Sequence, residues 1–347
     1  MATTKKDLGI DSLLDDLNEK FEVNQIKNSI YAPHPTFQNL YKSKPSRSDQ
    51  ESRRKKALEI QRKKRADTLN NLRCLVEGSW DGMDTTEESE DDEYKPGRFY
   101  KNQLMLSEWL IDVPENFQDN FIMVACPTGK RVLVVAAKGK TKVFSKSGRK
   151  ILGDFPSELP GGNVRQSSVH FGKTETVLDC IFNEALRTFF ILDLMCWSSH
   201  PIYDSETEFR FYWLKTKYEE EGGNLNTMSK YNKFRFVNAN RCDCSKESIE
   251  KLMVSTTREE SHFFDGLLFY HKEALYTFGT TPLVGWLKPF MITEILKVTI
   301  PDYFQPVQLV TQSEFIRDYQ NDRQERIEKN KEKQKRRKDK EHSIDQS

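Results

Sequence analysis

Residues 125–135 read ACPTGKRVLVV, and their residue types raise the question of chemistry at once. Two β-branched, apolar runs, Phe121 to Ala125 and Arg131 to Val135, flank Pro127-Thr128-Gly129, a pattern that predicts strand, tight turn, strand. Such a turn presents Lys130 and Arg131. Paired cations at a hairpin tip suit a phosphate, and they equally suit a solvated hairpin. A second cluster, Cys242-Asp243-Cys244, has zinc-ligand types, but no second Cys/His pair at ligand spacing follows it, so no metal is expected. A third is "ESRRKKALEIQRKKR" from Glu51 to Arg65, with eight cations against two anions and no Gly, Pro or aromatic residue to break a helix.

These groups must be positioned by a chain of 347 residues that is only 36% hydrophobic and 31% charged, too polar to fold uniformly. The formal charge of +1 conceals local imbalance. Six scattered cysteines, without a signal peptide or long apolar span, lead to the expectation of free thiols in a reducing, soluble compartment. Composition divides the chain into a flexible arm (1–50), a basic helix (51–80), an acidic linker (81–98), a folded domain (99–301) and a charged tail (302–347), helical in pattern after Pro306 and solvated or frayed over EKNKEKQKRRKDKEH. Within the arm, Ile10, Leu13, Leu17, Phe21 and Val23 form an apolar stripe, readable as a helix on the protein's own surface or as a peptide for a partner's groove. Cations on every side of residues 51–65 call for an acidic, concave partner or a nucleic acid, and place this segment outside the folded domain. The domain reads as antiparallel α+β. Strands are predicted at 121–126, 131–137, 141–144, 176–182, 189–196, 233–238, 265–271 and 282–287. Helices are predicted near 102–111, 206–217, 245–252 and 291–296.

In order along this domain run "CPTGKR" (126–131), "LDCIFNE" (178–184), "FFILDLMCW" (189–197), "DGLLFYHK" (265–272) and "VGWLKP" (284–289). The series resembles the nucleotidyltransferase-like fold of messenger-RNA capping guanylyltransferases and DNA ligases, whose Lys-x-Asp-Gly-x-Arg turn supplies a nucleophilic lysine. Aligned on that turn, Cys126 stands at the nucleophile and Thr128 at the aspartate, while Gly129 and Arg131 persist. A thiol there cannot form the phosphoramidate that covalent transfer needs. With "APHPTF" (32–37), "NQLMLSEWLIDVP" (102–114), "LPGGN" (159–163), "FRFYW" (209–213) and "TPLVGWLKP" (281–289), the chain as far as about residue 300 resembles the snurportin family. That family comprises import adaptors for small nuclear ribonucleoproteins bearing a trimethylguanosine cap.

The resemblance implies a non-enzymatic protein without cofactor or metal. Trp286 would stack on the cap base, an arrangement worth about 1 to 3 kcal/mol per base for a cationic, methylated ring. Trp109, Leu106 and Ser107 would border the base, with Cys126 in the vacated nucleophile position. Arg131 and Lys146 would face the phosphates, with Lys130 and Lys288 as weaker candidates. Arg53, Arg54, Lys55, Lys56, Arg62, Lys63, Lys64 and Arg65 would bind importin-β, a helical-repeat solenoid able to surround a helix. Ile10, Leu13, Leu17, Phe21 and Val23 would contact the export receptor. Partners are thus the capped small nuclear RNA with its ribonucleoprotein, importin-β and an exportin, without a membrane, in a protein shuttling between nucleus and cytoplasm. The alternative is an active cap nucleotidyltransferase or a cap hydrolase. On the import reading, reversing Arg53, Arg54, Lys63 and Lys64 is expected to spare the cap site. Replacing Leu13, Leu17 and Phe21 by alanine is expected to weaken export-receptor binding and to hold the protein in the nucleus. Its steady-state distribution by fluorescence microscopy checks this, and an unchanged distribution favours a helix docked on the protein itself.

Overall fold

A computed structural model describes residues 50–62, 100–165, 174–305 and 310–322, together with 324–325, 328–329 and 332. The proposed export epitope, Lys63, Lys64, Arg65 and the acidic linker lie outside the described residues. The first described element is a helix, α1, over residues 50–62. Then follow β1 (Met105–Trp109), α2 (Phe117–Asn120), β2 (Phe121–Pro127), β3 (Lys130–Ala137), β4 (Lys140–Ser145), β5 (Glu175–Asn183), β6 (Thr188–Trp197) and β7 (His200–Pro201). After these come α3 (Thr207–Glu220), β8 (Arg235–Asn238), β9 (Arg241–Asp243), α4 (Lys246–Ser255), β10 (Phe264–His271), β11 (Gly279–Leu287), α5 (Met291–Leu296) and a helix over 312–322, α6.

The fold class is α+β, with two mainly antiparallel sheets. One runs β1-β11-β10-β2-β9; the other runs β4-β3-β5-β6-β7, with β8 added on β6. Two-residue periodicity allocates the core. Leu133 and Val135 point to an inter-sheet cluster shared with Val124, Leu268, Tyr270 and Val284. Val132 and Val134 point the other way, into a cluster that Leu214 of α3 helps to cover. The outer face of the first sheet, with Met123, Leu267, Phe269 and Leu287, packs against Ile249 and Met253 of α4 and against Met291 and Ile292 of α5. A sheet buried on both faces explains why β5 and β6 read as nearly continuous apolar runs. α4 begins where expected because the Ser245 side chain accepts a hydrogen bond from the Ser248 amide.

Two sequence expectations need correction and two gain detail. Residues 102–111 are not a helix: Met105–Trp109 form β1, paired in parallel with β11, and Asn102 in the left-handed region (φ 59°) blocks a helical start. The apolar spacing there fits either element, and the free edge of β11 decides it. Pairing is not wholly antiparallel, since β6 and β8 are also parallel. The tail is not wholly solvated: Gln312 is buried and donates to the Leu110 carbonyl at 2.8 Å, while Phe315 and Tyr319 pack on Trp109. Finally, the basic helix lies on the domain. Its inward face, led by Gln50 and Arg54 at 2% and 3% exposure, is polar, so no apolar stripe announces it.

Two buried charges sit among this apolar packing. Asp193 of β6 holds Arg210 of α3 in a two-point pair, Nε to Oδ1 at 2.9 Å and Nη2 to Oδ2 at 2.9 Å, with both side chains wholly buried. The remaining Arg210 nitrogen donates to the Ser205 and Ala274 carbonyls. Asp193→Asn leaves that guanidinium without a counter-charge, and removing one partner of a buried pair costs roughly 3 to 5 kcal/mol. Urea unfolding of the purified variant is expected to show the loss; a midpoint equal to wild type would mean that water reaches the pair.

Candidate functional site

The sequence-predicted cap residues lie around the strands that meet at the inter-sheet cluster, and their arrangement starts from a glycine. β10 lies between β2 and β11, with Gly266 opposite Cys126 and Leu268 opposite Trp286. A Cβ at Gly266 would stand 2.9 Å from Cη2 and 3.0 Å from Cζ2 of Trp286, and 2.2 Å from the Leu287 carbonyl oxygen. Only glycine lets the indole lie down on the strand here, and its φ of +154° adds a second reason. Trp286 is partly buried against the inter-sheet cluster, as is Leu106, and Cys126 belongs to that cluster. Lys288 Nζ lies 5.8 Å from the Trp286 ring centroid and pairs with Asp265. It is therefore not simply solvated.

Cys126 is 4% exposed. Burial, only partly offset by Arg131, pushes its thiol up to about 12. The side chain stays a neutral thiol at physiological pH, a small apolar filler with no nucleophilic character.

Arg131 has a second employment that the hairpin pattern could not reveal. Its Nε and Nη2 donate to the two Asp179 oxygens at 2.6 and 2.8 Å, and Nη2 also donates to the Met105 carbonyl at 3.0 Å. Tyr276 hydroxyl donates to Asp179 Oδ2 at 2.7 Å and accepts from the Met105 amide at 3.0 Å. Burial opposes the charge on Arg131, but the Asp179 carboxylate overrides it and holds the guanidinium protonated well beyond its ordinary range. Nη1 takes no part in these bonds, and the side chain is 18% exposed, so one donor nitrogen remains for an anion. Lys146 is exposed just beyond β4, next to the start of β3. Asp179 and Tyr276 were not singled out by sequence; a lone Asp within an apolar strand was the available signal.

Ser107 and Glu108 straddle a register shift, so that Ser107 pairs with Thr281 and Glu108 with Gly285. Pro282, which has no amide hydrogen, lies in the extra length of β11. Trp109 is the register partner of Trp286, yet it packs with the outer cluster, edge-on to Phe315 at 5.9 Å and Tyr319 at 5.8 Å. Leu106, Cys126 and Trp286 are brought together; Trp109 is held under α6.

The helix α1 meets the same strands from outside. Gln50 Nε2 donates to the Trp109 carbonyl at 2.8 Å, and its Oε1 accepts from the Ile111 amide at 3.3 Å. Arg53 Nη1 reaches both Glu108 oxygens at 2.7 Å, and Arg54 Nε donates to the Pro282 carbonyl at 3.2 Å. Burial lowers the pKa of Arg54, with Glu51 working against that shift. Lys55 and Arg62 pair with Glu115 and Glu273 at 3.6 and 3.1 Å, and Lys56 is exposed. The expectation that reversing Arg53 and Arg54 spares the pocket is therefore corrected: both touch the strands that carry it.

Solved structures with a distant likeness include the ligase domain of M. tuberculosis LigD, 13% identical over 54% of this chain and 59% of that one, with a TM-score of 0.35. Others are the ATP-dependent DNA ligase of bacteriophage T7 (13% identity, 55% and 69% coverage, TM-score 0.37) and Chlorella virus DNA ligase-adenylate (14%, 55% and 70%, 0.34). The chain spans less than two thirds of the LigD domain's length. Two family models match: "Snurportin1, m3G cap-binding domain" over residues 103–289, more than half of the chain, and "Snurportin1" over residues 34–74. The first match contains Leu106, Ser107, Trp109, Cys126, Arg131, Lys146 and Trp286, and the second contains every cation from Arg53 to Arg65. By these matches the chain belongs to the snurportin family.

Proposed function

We propose that this protein is a non-enzymatic import adaptor that grips a trimethylguanosine cap between its sheets and offers its basic segment to importin-β. One observation carries the cap reading: the Trp286 indole lies over Gly266, the strand partner of Cys126, a buried, neutral thiol. The indole supplies the stacking face a cationic purine prefers. Arg131 Nη1 and Lys146 supply positive charge for the phosphates, the first rigidly held and the second exposed. A lysine nucleophile is replaced by Cys126, which speaks against transfer chemistry. The family match over residues 34–74 supports the import half of the reading. Recycling by an export receptor, and shuttling between nucleus and cytoplasm, belong to the same proposal through Ile10, Leu13, Leu17, Phe21 and Val23.

Titration of trimethylated against monomethylated cap dinucleotide, followed by tryptophan fluorescence, tests the pocket. Trp286→Ala is expected to cost at least about 1 kcal/mol of cap affinity. Gly266→Ala should weaken binding as well, because the added methyl displaces the indole it underlies. A Trp286→Ala protein that folds and binds cap like wild type would move the platform elsewhere. Arg131→Ala is a poor probe, since it strands buried Asp179; Arg131→Lys keeps the charge and tests the directed fork.

For the import arm, the informative change is Lys55→Glu, Lys56→Glu, Lys63→Glu and Lys64→Glu together, which avoids the cations engaged with the pocket strands. Importin-β binding in a nuclease-treated pull-down should be lost while cap affinity stays near wild type. Retained capture would assign receptor binding to other residues.

A further inference from the structure

We propose that the pocket continues into a track for the body of the RNA: a row of cations across one end of the six-stranded sheet, suited to the phosphodiester backbone following the cap. This rests on the cap reading above. Strand register assembles the row. Lys130 and Arg131 open β3, and because Val132 pairs with Ser145, Lys146 lies beside them just past the end of β4. On the other side, Lys130 pairs with Phe182 and Asn183 with Thr188, which brings Arg187 to the same end. Thr188 pairs in turn with Arg235, the first residue of β8. The two turns are tied together, since Asn183 Nδ2 donates to the Thr128 carbonyl at 3.0 Å. Four strand spacings from β4 to β8 make about 19 Å. At the stacked rise of about 3.4 Å per nucleotide, that length accommodates about five nucleotides.

The far half of the row combines charge with rings. Arg187 and Lys233 are exposed and stand 5.5 and 5.9 Å from the Phe234 centroid; Arg165 and Lys230 stand 4.7 and 4.9 Å from that of partly buried Tyr231. Arg187 and Arg235 donate to main-chain carbonyls, of Lys233 and Leu186, which leaves their charge in place. Among the described residues, no carboxylate forms an ion pair with Arg187, Lys230, Lys233 or Arg235. Glu184 interrupts the row and pairs with Lys130 at 3.6 Å. A chain of net charge +1 is not basic everywhere, so the local excess is a property of this edge. Phe234 is buried against Phe155, Phe182 and Phe189, so its ring braces Arg187 and Lys233 from beneath, while the partly open Tyr231 is the ring a base can meet. A narrow line of cations with an aromatic face at its far end fits a single strand, whose backbone follows the charges. Continuity with Arg131 and Lys146 favours RNA over an acidic protein surface.

The test compares trimethylated cap dinucleotide with a capped and an uncapped ten-nucleotide RNA, each titrated into the full chain over a salt series. The wild type should bind the capped RNA about tenfold more tightly than the dinucleotide at low salt. Its log-affinity against log-salt slope should be steeper by about 2, the value for three neutralised phosphates of a single strand. Arg187→Glu with Lys233→Glu should remove both gains and leave dinucleotide binding unchanged. Lys138→Glu with Lys140→Glu makes the same charge change at the β3–β4 turn, the opposite end of the sheet, and should keep them. Should the glutamate variants fail to fold by circular dichroism, the glutamine pair serves the same purpose. Equal slopes for dinucleotide and ten-mer, equal losses in the Lys138/Lys140 control, or displacement of the RNA by polyglutamate would each overturn the track. A wild type that ignores the dinucleotide would instead refute the cap reading, and it is read in a separate titration.

Discussion

The structure depends most on the Arg131–Asp179 ion pair, a buried polar junction at which groups from both sheets meet. The pair sits on adjacent strands of one sheet, while Met105 and Tyr270 of the other contribute oxygens to the same guanidinium. Tyr276, between β10 and β11, closes the loop by bonding both Asp179 and the Met105 amide. Buried charge is costly unless each lone pair and proton finds a partner. Here the partners come from both sheets, so desolvation is offset only in one relative arrangement of them. That arrangement also fixes the direction of the Arg131 guanidinium.

The neighbouring thiol follows from the same burial. A group that cannot ionise in a dry site offers volume and no reactivity, and Cys126 is held there by the pairing of β2 with Gly266. Around it stand a ring laid flat by a missing side chain, a fixed guanidinium and an exposed amine.

How much of this was legible in the sequence varied with the kind of force involved. The eight predicted strands all form, several within one residue of their expected ends, because alternating or continuous apolar runs between turn residues report burial directly. Three helices were legible for the same reason. β1 was not, since Leu106, Trp109 and Leu110 satisfy helical spacing too and only the vacant edge of β11 distinguishes the outcomes. The seat of α1 was invisible because Gln50, Arg53 and Arg54 dock through hydrogen bonds to main-chain and carboxylate oxygens, and a polar stripe reads as solvated. Among site residues, Trp286 and Cys126 stood out through family likeness, whereas Gly266 and Asp179 gained meaning only from what lies across the sheet.

Gln50 has one further consequence. Its side-chain amide donates to the Trp109 carbonyl and accepts from the Ile111 amide, the two bonds a neighbouring strand would otherwise make with β1. β1 is the outermost strand of its sheet. A single glutamine thus closes an edge that would otherwise invite another extended chain to add itself. If α1 lifts away, β1 becomes a bare template for strand addition and aggregation, so the helix that carries the cations also acts as the sheet's edge guard.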